Sequence, residues 1–223
     1  MFLMDNRVNY RAVFEKTGSA KYISHLDLNR CMQRAIRRAD LPAWYTEGFH
    51  PHMYLMFALA LSLGAESMCE TMDFRLTQEL SAQEVMERLN AALPQGLKVH
   101  DVHAPKHQSA DIGSAEYRLR FCTEDVPALA AQWEDFLAQP QCIIEKKTKH
   151  RTREIDILPM ITVQKTAQKP DALELVLRLP AGNDANLNIS VVTDAFKKHA
   201  EQPFSIGEAV RTKIFCHNGE EFF

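Results

Sequence analysis

The sequence lacks a long apolar run. The longest, Leu55 to Leu63, contains Ser62 and ends at Gly64, well short of the ~20 residues that a membrane-crossing helix needs, so no transmembrane segment is expected. Met1-Phe2-Leu3-Met4-Asp5-Asn6-Arg7 has no basic stretch leading into an apolar core and a small-residue cleavage site, which predicts no secretory signal and a cytoplasmic location. Paired cysteines are missing too. Cys31, Cys69, Cys122, Cys142 and Cys216 are scattered and odd in number, which argues against a disulfide framework, a cysteine metal knuckle and a cluster-binding motif. No glycine-rich phosphate loop, nucleophile elbow or paired-carboxylate glycosidase site stands out, and no cofactor is expected. The net charge of −3 gives no bulk signature of a nucleic-acid binder, although it can conceal a local basic face.

What is present is an ordinary globular composition, with 46% hydrophobic and 25% charged residues in 223. That is room for two domains of about 100 residues. Val8 to Glu15 alternates Tyr10, Ala12 and Phe14 with charged neighbours, the period of a half-buried strand. Ser24 and Asp27 stand at capping-box spacing before Leu28, Cys31, Met32, Ala35, Ile36 and Ala39, the stripe of an amphipathic helix closed by Pro42. An extended stretch from Leu41 to Leu59 and a strand from Met68 to Leu76 should pair. A second capping box at Ser81 and Glu84 opens another helix, and Leu97 to Val102 makes a last strand.

The second half repeats this order: strand Glu116 to Cys122, helix Pro127 to Leu137, strands Gln141 to Lys147 and Leu173 to Leu179, helix Ile189 to His199 and strand Glu208 to Cys216. Strand, helix, strand, strand, helix, strand is the order of the split βαβ, ferredoxin-like fold. The expected fold is therefore α+β, with two tandem ferredoxin-like modules at 1–104 and 115–223 joined by a polar linker at 105–114. The second module is expected to carry an insertion or long hairpin between Thr148 and Gln168.

Two basic clusters stand out. Arg30, Arg34, Arg37 and Arg38 lie opposite the apolar stripe of the first helix, with Lys21 just before it. Lys146, Lys147, Lys149, Arg151 and Arg153 crowd the insertion. Either alone reads as a solvated face. Together, in an acidic chain, they point to RNA if the fold places them on one surface, because guanidinium groups grip phosphate with forked hydrogen bonds. His50, His52 and Tyr54 follow in an extended segment and read as partner or substrate contacts. Trp44, Tyr45, Phe49, Tyr54 and Phe57 form the densest aromatic group, of which core packing should claim most. His100, His103 and His107 with Asp101 have zinc-ligand chemistry, but they straddle a strand end and a linker broken by Pro105, so no metal is expected.

Lys21-Tyr22-Ile23-Ser24-His25-Leu26-Asp27-Leu28, Arg34-Ala35-Ile36-Arg37-Arg38-Ala39-Asp40-Leu41-Pro42 and Glu47-Gly48-Phe49-His50-Pro51-His52 together resemble the radical-SAM-linked domain family of unknown function. The likeness covers about the first hundred residues, with a weaker echo over Lys146 to Ile157. Met53 and Tyr54 stand where that family usually has proline and a basic residue. The resemblance implies a radical SAM protein as partner and an accessory or substrate-binding role for this chain, with the iron–sulfur chemistry in another chain.

A more distant likeness is to the CRISPR repeat-processing endoribonucleases. It implies Tyr22, His25 and Lys21 as candidate catalytic residues, though Gly207 stands alone where that group has a glycine-rich loop. A protein-binding scaffold using the aromatic segment is the third reading.

Overall fold

The computed structural model describes residues 7–147 and 152–223. The chain is α+β, with four α-helices among the described residues. It divides into two compact units, one running to Asp111 and including Phe222–Phe223, the other Ile112–Glu221.

In the first unit the elements are β1 (Val8–Lys16), α1 (His25–Arg38), β2 (Leu55–Phe57), β3 (Glu66–Leu76), α2 (Ala82–Ala92) and β4 (Leu97–His103). The strands pair antiparallel in the order β4-β1-β3-β2. Tyr10 stands opposite Phe74 and Ala12 opposite Met72, so one face of the sheet is apolar. Leu28, Met32 and Ile36 from α1 and Val85 and Leu89 from α2 pack on it, with Met86 at the margin. Each such aliphatic side chain contributes about 1.5–3 kcal/mol through burial.

Both ends of α1 follow local chemistry. At its start the Ser24 hydroxyl accepts the Asp27 N–H, filling one of the donors that a helix N-terminus leaves unpaired. Its end precedes Pro42. Asp40 takes a φ of +50°, its N–H reaches the Arg37 carbonyl, and the Leu41 N–H reaches that of Ile36. That pair of bonds is a Schellman closure, and Leu41 and Ile36 then meet in the core.

The extended stretch from Leu41 to Leu59 holds a strand only at Leu55–Phe57. Isolated bridges pair Ala43 with Leu76 and Tyr45 with Met53.

The second unit comprises β5 (Ile112–Cys122), α3 (Val126–Leu137), β6 (Ile143–Lys147), β7 (Thr152–Asp156), β8 (Thr162–Lys169), β9 (Ala172–Pro180), α4 (Ile189–His199) and β10 (Ser205–Cys216). Its strands run β10-β5-β9-β8, and β6 pairs with β7 alone. Two expectations change here. The strand beside β9 is β8, and the stretch near Gln141 to Lys147 belongs to the inserted hairpin. β8 is exposed along nearly its whole length, so it lacks the apolar alternation that marks a half-buried strand. The expected linker is also shorter: a 3-10 turn occupies Ser109–Asp111 and β5 starts at Ile112. Gly113 lies in that strand, where a Cβ would sit 2.8 Å from His217 Nδ1 and 3.0 Å from His217 Cα. Close approach, and not linker flexibility, explains this glycine. Among the described residues no helix is long and apolar enough to cross a membrane.

Candidate nucleic-acid interface

The outer face of α1 presents Arg30, Arg34, Arg37 and Arg38, all exposed, while Leu28, Met32, Ala35 and Ile36 are buried beneath it. Their charges are committed to different degrees. Arg30 pairs with Asp27 at 3.2 Å. Arg38 donates to the Ala92 carbonyl at 2.7 Å, satisfying an acceptor at the end of α2. Arg37 donates from Nε to the Tyr45 hydroxyl at 3.3 Å. Among the described residues, no carboxylate pairs with Arg34 or Arg37. Lys21 is drawn off the ridge, its ammonium 3.2 Å from Glu66 Oε1 and 5.6 Å from the Tyr22 ring centroid.

His25 is the first residue of α1, and its ring meets Phe57 edge-on at 5.2 Å. Tyr22 is exposed. The three residues implied by the ribonuclease likeness thus lie in one stretch of chain, with the lysine already ion-paired.

The second basic cluster belongs to the other unit. Lys146 stands opposite Arg153 in the β6–β7 register, and the Arg153 side chain is exposed. Lys149 and Arg151 lie outside the described residues.

The segment from Ala43 to Tyr54 edges β3, the Trp44 N–H bonding the Arg75 carbonyl at 2.9 Å. Successive side chains of an extended segment point to opposite faces. Tyr45 meets Arg37, whereas the Trp44 ring has Arg7 at 4.8 Å and Arg75 at 5.4 Å. Arg75 also stands 4.0 Å over the Tyr54 ring. Of these aromatics core packing claims only Phe57, which packs against the first unit's core with its ring 6.2 Å from that of Phe14; Trp44 and Tyr54 are half-buried, Tyr45 is exposed, and Phe49 is wholly exposed at 101%. Phe49 follows Gly48, whose φ of +117° favours glycine. His50 is exposed, and the His52 ring is held by the Thr46 hydroxyl at 2.9 Å and the His50 carbonyl at 3.3 Å.

The guanidinium–aromatic ladder of Arg7, Trp44, Arg75 and Tyr54 is absent from the sequence-based expectations. It depends on pairing between distant segments, the Trp44 N–H on the Arg75 carbonyl, and no local pattern marks it.

The histidines near the linker have separate partners. His100 Nε2 meets Glu15 at 2.9 Å, and His103 Nδ1 meets Asp101 at 2.9 Å. The His107 ring lies 6.2 Å from that of Phe222. Among the described residues no three His, Cys, Asp or Glu converge as a metal-ligand group. All five cysteines are free. Burial first, then the Asp156 carboxylate, pushes the Cys142 thiol up, which disfavours the nucleophilic thiolate.

One family model, described as an uncharacterized protein conserved in bacteria (DUF2344), matches residues 9–189. No curated protein matches the chain.

Proposed function

We propose, on the premise that this chain belongs to the DUF2344 family of uncharacterized proteins conserved in bacteria, that it is a cytoplasmic, non-catalytic accessory protein that binds structured RNA. The observation that carries the reading is the pair Arg34 and Arg37, two exposed arginines on one face of α1 with no carboxylate partner among the described residues. Side chains at this spacing are neighbours on a helix, and each fork is available to a phosphate. Arg30 and Arg38 flank the same ridge, and Lys21 reaches it in this reading only by leaving Glu66. Lys146, Lys147, Lys149, Arg151 and Arg153 are a second basic contact in this reading.

The strand orders β4-β1-β3-β2 and β10-β5-β9-β8 support reading each unit as a split βαβ, ferredoxin-like module, the second with an inserted hairpin. Resemblance to the radical-SAM-linked domain supports a radical SAM protein as partner. Phe49, wholly exposed beside His50, is the contact that best suits such a partner, since exposed aromatics are favoured interface anchors. Cleavage is the weaker reading, because Glu66 already holds the Lys21 ammonium. The test is RNA affinity as a function of salt, in the wild-type chain and with Arg34 and Arg37 replaced by glutamine.

A further inference from the structure

The ridge on α1 leaves unused a trough elsewhere in the first unit. Its cavity of about 680 Å3 is lined by Arg7, Asn9, Tyr54, Met56 and Asp73, and by the segment from Ala104 to Ser109. Small-ligand sites span roughly 300–1,000 Å3. Met56 stands opposite Asp73, Asp73 opposite Arg11, and Asn9 opposite Arg75. These residues alternate with Tyr10, Ala12, Met72 and Phe74 of the core, so they project from the other face of the sheet.

Arg11 builds the trough. Its fully buried guanidinium holds Asp73 Oδ1 at 2.6 Å and Oδ2 at 2.8 Å, and donates to the His107 carbonyl at 2.9 Å. The Phe222 ring lies 4.4 Å from its Cζ. One side chain therefore ties the floor to the wall and neutralises Asp73, the one carboxylate among the described lining residues. Lys106, exposed on the wall of the trough, brings a cation to the lining beside the neutralised Asp73. Arg75 Nε donates to Asn9 Oδ1 at 2.8 Å, which fixes that amide so that its remaining hydrogen-bonding atoms are donors.

We infer that this trough seats one unpaired nucleotide of an RNA strand. The phosphate meets Lys106, the base lies against Tyr54 and Met56, and Asn9 donates to a base acceptor. The inference rests on the RNA-binding reading and adds that the structured RNA it takes offers an unpaired nucleotide. A free mononucleotide offers the same chemistry. The strand is favoured because the ladder of Tyr54, Arg75, Trp44 and Arg7 provides further aromatic and guanidinium planes beside the trough, and successive bases stack on such planes.

The experiment measures binding of the full chain to a short unstructured oligoribonucleotide and to a fully paired RNA duplex, with AMP as competitor. Tyr54→Leu should weaken the single strand about tenfold and leave the duplex unchanged, while Tyr54→Phe keeps wild-type affinity. Lys106→Gln, at an exposed position, should make the single-strand salt slope shallower by roughly one with an unchanged melting temperature. AMP should compete only weakly; AMP binding as tight as the strand would overturn the strand assignment in favour of the free nucleotide. Equal losses for duplex and strand, or no loss for either, would overturn the trough and leave the α1 ridge intact. A wild-type chain that binds neither RNA would overturn both.

Discussion

Ser24 and Asp27 hold each other reciprocally at the start of α1: the Ser24 hydroxyl accepts the Asp27 N–H at 3.1 Å and donates to Asp27 Oδ2 at 2.7 Å. That bond, followed by Arg30, lowers the Asp27 pKa. A carboxylate with a lowered folded-state pKa contributes stability that is present above its unfolded value, near 4, and is lost as pH falls through the folded one. Ser24→Ala should cost about 1 kcal/mol at neutral pH and flatten the decline of stability below about pH 4. Urea unfolding at several pH values checks both.

Asp40 occupies left-handed backbone with no glycine's freedom. Asp40→Gly removes the steric cost of that conformation and should raise stability by up to about 1 kcal/mol. Arg88 donates to the Asp40 backbone carbonyl, a bond that glycine keeps. A melting-temperature comparison decides it.

Arg11 and Asp73 form a buried pair. Arg11→Met strands the carboxylate and should cost about 3 kcal/mol or more, whereas Arg11→Met with Asp73→Leu should recover much of that loss. A double-mutant cycle in denaturant measures the coupling.

His25 has its ring on Phe57, and RNA binding through the α1 arginines asks no proton transfer of it. Structured RNA incubated with the wild-type chain should stay intact, and His25→Ala should leave RNA affinity unchanged. Cleavage that disappears with His25→Ala would make the chain a ribonuclease.

α1 is legible in the sequence because cap, apolar stripe and basic face all agree from Ser24 to Arg38. Local agreement of this kind is what fixes a helix. The place of the strand Thr162–Lys169 at the edge of the sheet is not legible, since exposure along its length erases the period of two. Nor is the ladder of Arg7, Trp44, Arg75 and Tyr54, because it depends on a register between distant segments that only folding sets. The aromatic segment misleads for a related reason. Trp44 and Tyr54 each have an arginine guanidinium against the ring, and a composition count reads those arginines as solvated charge. On the candidate site, sequence locates the arginines but not their partners: Lys21 and Arg38 resemble Arg34 until Glu66 and the end of α2 are brought to them.

The most direct test of the account is the salt dependence of binding to a structured RNA. Wild-type affinity should be measurable at low salt and fall steeply as salt rises. The chain carrying Arg34→Gln and Arg37→Gln should bind more weakly, with a log–log slope shallower by roughly two, and its stability should change by under about 0.5 kcal/mol per substitution. No binding at low salt, or a slope that the two substitutions leave unchanged, would contradict it.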